Sequence, residues 1–160
     1  MMVTFLKISN KVMAESFTVM AMSTLVTGKM IGDFFGLRKD DRSNGFGKYI
    51  HVDGAYYEGE WLEDKHHGRG KEVWADGAIF EGDYNQGKKH GLGKFCWPDG
   101  SSFEGDFITN KMEGYGVYVW VDGRKYAGDW KDNQQHGQGH FTWEDGREYH
   151  GGYVHDKREG

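Results

Sequence analysis

The chain has 160 residues, a formal net charge of −5 and one cysteine, Cys96. This length fits one domain with a buried core. The acidic balance gives no global signal for nucleic acid or a membrane surface, and a lone cysteine excludes an internal disulfide. A chain without disulfides fits a reducing compartment, so we expect a cytoplasmic protein.

The first predicted element is an apolar segment within residues 1–33. Residues 16–28 carry no charged side chain, and six of the seven methionines lie in residues 1–30. This stretch is too short to span a bilayer as a helix. We predict a short helical or irregular segment, with a helix over residues 12–27 that covers one end of the fold. A signal peptide and a mis-assigned start are the alternatives.

From residue 34 onward the chain repeats with a period of 23 residues. From residue 57 onward, each unit opens with an aromatic residue, a glycine two residues later and a second aromatic two residues after that, as in Tyr57, Gly59 and Trp61. A pair of glycines, a tryptophan and an Asp-Gly dipeptide follow. The predicted array covers residues 34–160, with a degenerate unit 34–56, complete units 57–79, 80–102, 103–125 and 126–148, and a partial unit 149–160.

The pattern inside each unit predicts a β-hairpin. Tyr57, Gly59 and Trp61 alternate with polar residues and therefore share one face of a strand. Asp-Gly dipeptides such as Asp76-Gly77 are predicted to link successive hairpins through type I′ turns. A glycine beside a large ring leaves room for the ring to lie over the backbone, and stacked units can bury rings that one unit cannot. The predicted fold is all-β: an elongated, single antiparallel β-meander of stacked hairpins with about eleven strands.

The unit Y-x-G-x-W…H-G-x-G…D-G resembles the MORN repeat (membrane occupation and recognition nexus) over residues 34–160. Departures are local, since Glu72 stands where an aromatic is usual and Glu113 replaces the histidine of H-G. The resemblance implies a scaffold or adaptor that organises cytoskeletal, ciliary or membrane-junction structures, often as a dimer, and some such proteins are linked to phospholipids. The alternative that it implies is a regulatory module, because similar repeats precede the catalytic domains of some phosphatidylinositol-phosphate kinases and SET-domain methyltransferases. Neither catalytic domain is present in these 160 residues, so this alternative requires a longer chain.

The sequence shows no arrangement typical of catalysis. It contains no H-E-x-x-H, no P-loop and no nucleophile–base order that we recognise, so we expect neither an enzyme nor a cofactor. His67, His90 and His136 form a column, but residues one period apart lie two strands apart, roughly 9–10 Å. Zinc needs its ligands at about 2 Å from a common centre, so we expect no metal site in this column.

Two charged columns are the candidate binding surfaces. The acidic face alternates with the rings and comprises Glu58, Glu60, Glu81, Asp83, Glu104, Asp106 and Asp129. The basic ridge follows the turn inside each unit and comprises Lys65, Lys88, Lys89, Lys111, Lys157 and Arg158. The acidic face is either a solvated surface that prevents aggregation or a docking face for a basic protein. The ridge is either a solvated edge or a site for anionic phospholipid headgroups or an acidic protein.

The last predicted strand, residues 149–153, would leave an exposed sheet edge. We therefore expect this end to pair with a second copy of the chain or with a protein partner. The sequence leaves the identity of that partner open.

Overall fold

The computed structural model describes residues 33–159, and their backbone forms one open sheet without a helix. Twelve strands follow one another in chain order, each antiparallel to its neighbours. This confirms the predicted all-β meander of hairpins. The number is one above the expected eleven, because residues 157–159 also pair with the strand before them. The predicted helix over residues 12–27 lies outside the described residues.

Strands of seven and nine residues alternate along the chain until the short last strand. The strands are β1 (Asp33–Lys39), β2 (Arg42–Ile50), β3 (Tyr56–Leu62), β4 (Lys65–Val73), β5 (Ile79–Asn85), β6 (Lys88–Cys96), β7 (Ser102–Ile108), β8 (Lys111–Val119), β9 (Lys125–Lys131), β10 (Gln134–Thr142), β11 (Glu148–Val154) and β12 (Lys157–Glu159). Two-residue turns join the strands within a hairpin, and five residues join one hairpin to the next.

The first ring of each unit lies over glycines of its own hairpin. Gly59 and Gly70 face each other across β3 and β4, and the Tyr57 ring covers Gly70. A Cβ at Gly59 would stand 2.5 Å from the Gly70 Cα, so a side chain here would force the strands apart. The Tyr57 hydroxyl donates a hydrogen bond of 2.9 Å to the Glu60 carbonyl. The predicted packing of rings on bare backbone is therefore confirmed.

The second ring of each unit joins that unit to the preceding one. Trp61 packs edge-to-face on Tyr57 of its own unit at 5.1 Å and on Phe34 of the preceding unit at 5.2 Å. Its Nε1–H also donates to the Gly47 carbonyl at 3.0 Å. The pattern recurs to form one row, the ring ladder, of Phe34, Trp61, Tyr57, Tyr84, Phe80, Phe107, Phe103, Trp130, Tyr126, Tyr153 and Tyr149, with neighbouring centroids 5.0–5.7 Å apart.

The Asp-Gly dipeptides lie in longer turns than predicted. After β4, the Trp74 carbonyl accepts a hydrogen bond from the Gly77 N–H, and the Trp74 N–H donates to the Ala78 carbonyl, both at 3.0 Å. Gly77 has a φ of 92°, whereas Asp76 is not left-handed. This is a turn closed by a glycine bulge, so the prediction of type I′ turns at these dipeptides was wrong. Asp76 instead accepts the Ala78 N–H at 2.9 Å.

The two-residue turns inside the units carry two left-handed residues each. Glu63 and Asp64, for example, have φ of 49° and 64°, as a type I′ turn requires. Each turn also bonds to the preceding hairpin. The Asn110 N–H donates to the Lys89 carbonyl at 3.0 Å, while Asn110 Oδ1 accepts the Lys89 N–H at 2.8 Å. The Asp and Asn side chains at this position therefore connect units as well as tolerating the left-handed backbone.

Residues 149–153 lie in β11, next to β12. Gly152, Tyr153 and Val154 pair with Glu159, Arg158 and Lys157. The expectation that residues 149–153 form the last strand was therefore wrong, because β12 follows and covers part of β11. The expected pairing of this end with a second copy or a protein partner stays a prediction.

Candidate functional site

The acidic face lies on the side of the sheet opposite the ring ladder. Three of its carboxylates accept hydrogen bonds from backbone N–H groups of the next strand. Glu60 Oε1 accepts the Arg69 N–H at 3.2 Å, and Asp129 Oδ2 accepts the Gln138 N–H at 2.9 Å. Each carboxylate reaches a β-bulge whose glycine is left-handed, as at Gly137 with a φ of 59°. Asp106 bonds the next strand in the same way. These carboxylates have a structural role in addition to any role in docking.

The remaining carboxylates of the acidic face lie close to cations. Glu58 lies 3.1 Å from Lys48, and Glu104 lies 3.4 Å from Lys94. Asp83 pairs with Arg69 at 3.7 Å. Glu81 stands opposite Lys71 and Lys94 in the strand register. The structure thus brings the seven carboxylates onto one face, where they form a mixed-charge surface.

The signal for these cations was present in the sequence. Lys48, Lys71 and Lys94 recur with the same 23-residue period as the carboxylates. Sequence reasoning missed them because it followed one strand of each hairpin and not its partner. Exposed pairs of this kind contribute about 0–1 kcal/mol each, so their main effect is on the charge of the surface.

The basic ridge is only partly assembled at the turn edge of the sheet. Lys65, Lys88, Lys111 and Lys157 each open a strand there and are exposed. Lys65 Nζ donates to Gln86 Oε1 at 3.1 Å, and Lys111 forms an ion pair with Asp132. The hydrogen bond to Asp132 raises the pKa of Lys111 above its usual value. The edge therefore carries charges of both signs.

Lys89 and Arg158 lie on the ring face and not with the other cations. Lys89 stands opposite Tyr84, and its Nζ lies 4.7 Å from the Trp74 ring centroid and 3.8 Å from Glu72 Oε2. Burial lowers the pKa of Lys89, whereas Glu72 acts against that change. Arg158 lies over the Trp143 ring at 5.2 Å.

This arrangement explains why Glu72 stands in an aromatic column. The Tyr84 hydroxyl donates to Glu72 Oε2 at 2.8 Å, and Lys89 supplies a nearby positive charge. Burial, followed by the charge of Glu72, raises the pKa of Tyr84. A carboxylate on the ring face is tolerated because both a hydroxyl and an ammonium group compensate it.

A second row of rings borders the ring ladder beside the Asp-Gly turns. We call it the tryptophan strip, and it comprises Trp74, Phe95, Trp97, Tyr118, Trp120, Phe141 and Trp143. Consecutive centroids lie 4.6–5.4 Å apart, and all seven rings are half-buried. Their partial exposure arises because a single sheet has no second layer to cover its margin.

His66 provides a test of burial on the ring face. Its imidazole stacks on the Tyr57 ring with centroids 3.6 Å apart, and burial, with a smaller effect of Lys89, lowers its pKa from 6.5 to about 4. The folded protein therefore binds fewer protons than the unfolded chain between these values. The stability that the neutral ring provides is present above pH 6.5 and is lost as the pH falls towards 4.

We expect the His66→Gln variant to lose less stability on acidification than the wild type. The difference between pH 7 and pH 4 should be about 1–2 kcal/mol, after allowance for partial solvent screening. Urea unfolding at several pH values measures it. His90→Gln, at an exposed histidine, is the control. Equal pH dependence in the wild type and the His66 variant would contradict the buried, neutral imidazole.

An open sheet of stacked hairpins defines a repeat protein that presents extended surfaces along its length. The family model of the MORN repeat matches residues 39–56, 57–79, 80–102, 103–123 and 126–146. The chain belongs to the MORN repeat family. Proteins with these repeats are generally non-catalytic modules, and the assignment indicates a membrane- or protein-binding repeat module.

The solved structures that resemble this chain include the TCP domain of SAS-4 (dCPAP) of Drosophila melanogaster in complex with a proline-rich motif of Ana2 (dSTIL). The identity is 11%, the TM-score is 0.45, and the alignment covers 79% of this chain and 75% of that chain. A likeness at this level carries no inference about function. No curated protein matches the chain. Within residues 33–159 no helix is long and apolar enough to cross a membrane.

Proposed function

We propose that this chain is a cytoplasmic, non-catalytic scaffold module that binds a protein partner along the tryptophan strip. The observation that carries the proposal is the unbroken contact of seven half-buried rings across four repeats. A contiguous exposed apolar surface on a soluble protein is typical of an interaction site. Tryptophan and tyrosine also dominate the binding energy of known interfaces.

The strip is pre-organised for binding. Trp97 is held between Phe95 at 4.6 Å and Tyr118 at 5.1 Å, and the other rings have comparable neighbours. Rings that are already fixed lose little side-chain entropy when a partner covers them. A larger part of the gain from burying apolar surface is therefore retained as affinity.

The border of the strip is close to electrically neutral. Arg124 lies 5.5 Å from the Trp120 ring centroid, and its charge is balanced by Asp122 at 2.7 Å. Arg147 and Asp145 repeat this arrangement at 2.8 Å. These pairs favour a partner that presents apolar or aromatic side chains to the rings and polar groups to the border.

The phospholipid alternative rests on the basic ridge and has weaker support. A lipid surface attracts clustered cations, at about 1 kcal/mol for each cation near the surface. Along this edge Lys111 is paired with Asp132, and Lys89 lies on the ring face near Glu72. In the alternative of a regulatory module, the tryptophan strip would bind in the same way, but its partner would be a catalytic domain.

Proximity labelling in native cells tests the proposal. We compare the wild type with a strip variant, Trp97→Ala with Trp120→Ala, and with a matched control variant, Leu92→Ala with Tyr115→Ala. The control residues are 64% and 58% exposed on the opposite face. Loss of a hot-spot ring costs at least about 2 kcal/mol, or roughly 30-fold in affinity. We expect the strip variant to lose a defined set of neighbours that the control variant keeps.

Circular dichroism and thermal unfolding first establish that both variants retain the sheet. If the labelled proteins are the same for the wild type and a folded strip variant, the strip is not the binding surface. If the control variant alone loses partners, binding occurs on the opposite face. Flotation with phosphoinositide vesicles, with Lys88→Glu as the variant, tests the lipid alternative separately.

A further inference from the structure

One cross-strand pair on the face opposite the ring ladder departs from the rest of the array. His140 in β10 stands directly opposite His150 in β11. The corresponding pairs of the preceding units are Lys48–Glu58, Lys71–Glu81, Lys94–Glu104 and Val117–Ala127. The array thus begins with pairs of opposite charge and ends with a pair of imidazoles. A repeat contact does not require histidine here, because other units pack without it.

Glu148 places a carboxylate beside both imidazoles. It lies on the same strand as His150, two residues before it, and therefore on the same face. Glu148 Oε2 lies 3.5 Å from His140 Nε2 and 3.7 Å from His150 Nε2. The three ligand atoms all lie within 4.8 Å of one another. Two imidazole nitrogens and one carboxylate oxygen therefore lie close together on one face of the sheet.

We propose that His140, Glu148 and His150 form a binding site for a divalent transition-metal ion, with Zn²⁺ as the physiological ion. Zn²⁺ bonds to imidazole nitrogen and carboxylate oxygen at about 2.0–2.1 Å, which places tetrahedral ligand atoms about 3.3–3.4 Å apart. The two nitrogen–oxygen distances exceed this spacing by only a few tenths of an ångström. Imidazole ligands also suit zinc better than calcium or magnesium, which prefer oxygen.

Binding requires a modest rotation of the rings. The two imidazoles stack with centroids 3.8 Å apart and planes inclined by 16°, whereas a shared ion must lie close to the plane of each ring. The side chains are 36% and 68% exposed, so both rings have room to turn their Nε2 atoms towards one point. Glu148, at 53% exposed, can follow that movement.

The site differs from the histidine column considered in the sequence analysis. His67, His90 and His136 are separated by whole repeats, whereas His140 and His150 are cross-strand neighbours. The ion would connect the strands of two successive units, β10 and β11. Three protein ligands leave a fourth position facing solvent, where water or a side chain of a bound partner completes the tetrahedron.

Titration of the full chain with ZnCl₂ tests the proposal. Isothermal titration calorimetry should show one ion for each chain, and thermal unfolding should shift upward with free zinc, because an ion that binds only the folded state stabilises it. His140→Ala and His150→Ala should each lose the heat of binding and the thermal shift. Glu148→Gln should weaken both, because it removes the negative charge but keeps the shape of the side chain.

His90→Ala is the matched control, since His90 is an exposed histidine distant from this cluster. The control should bind zinc as the wild type does. Circular dichroism of the variants without metal excludes loss of the fold as the cause of lost binding. A visible Co²⁺ spectrum typical of tetrahedral coordination, present in the wild type and absent in His150→Ala, would support the ligand set. Absence of binding to the wild type, or unchanged binding to a folded His150→Ala, would overturn the proposal.

Discussion

Phe103→Ala is expected to lower the free energy of unfolding by about 3–5 kcal/mol. Phe103 is 0% exposed, and its ring packs on Phe107 and on Trp130, each with centroids 5.2 Å apart. Removing it takes away one ring of the ladder and leaves a cavity over Gly116, which the rigid neighbouring strands fill only in part. Urea unfolding followed by tryptophan fluorescence measures the change.

Leu92→Ala is the control for this prediction. Leu92 is an apolar residue of the adjacent strand, but it is 64% exposed on the opposite face. We expect its loss to change stability by no more than about 0.5 kcal/mol. A similar effect of both substitutions would contradict the placement of the core in the ring ladder.

Gly105→Ala is expected to destabilise the protein by about 3 kcal/mol, at the upper end of the effects of overpacking. A Cβ at this position would stand 2.5 Å from the Gly116 Cα and 2.6 Å from the Tyr115 carbonyl oxygen. Both contacts are with backbone, so no rotation of a side chain relieves them. The two strands must separate, which also disturbs the Phe103 ring above them.

Gly152→Ala provides the matched control for Gly105→Ala. Gly152 also lies inside a strand and its φ is not left-handed, but a Cβ there would approach no atom closer than 3.4 Å. We expect its thermal unfolding to remain close to that of the wild type. If Gly105→Ala unfolds at the same temperature as Gly152→Ala, this would contradict the close approach of Gly105 to Gly116 across β7 and β8.

Much of the fold could be predicted because the ring–glycine contacts within units and the ring–ring contacts between units recur. A ring such as Tyr57 and a glycine such as Gly70 contact each other once in each hairpin, so the contact is visible as two columns in the sequence. In a globular domain the same contact would occur once and leave no period. In a single-layer sheet of repeats, the packing of rings on glycines can therefore be predicted from the spacing of these residues in the sequence.

The turn types were harder to predict because the same residue types occur in several kinds of turn. Asp76-Gly77 is a typical type I′ dipeptide, yet five residues separate β4 from β5, and only Gly77 is left-handed. Glu63-Asp64 forms the two-residue turn although glutamate rarely adopts that conformation. Connection length and strand register decided the turn type against local preference.

The candidate surfaces were predicted in part. The carboxylates lie on one face as expected, because alternation alone fixes the face of a strand residue. The position of Lys89 depended on the turn that precedes it. With two turn residues at Gln86 and Gly87, Lys89 stands opposite Tyr84 and so lies on the ring face. The tryptophan strip and the His140–His150 pair were not predicted. They depend on exposure and on contacts across strands, which the recurrence of single positions every 23 residues does not show.

A double-mutant cycle on Phe103 and Trp130 tests the central claim most directly. These rings belong to successive units and contact each other at 5.2 Å. If each unit is held by the ring of its neighbour, replacing both rings with leucine should cost less than the sum of the single losses by about 0.5–1.5 kcal/mol. Phe103 with the distant Tyr57 is the control pair and should be additive within about 0.3–0.5 kcal/mol. Additive losses at Phe103 and Trp130 would contradict the interlocked ladder.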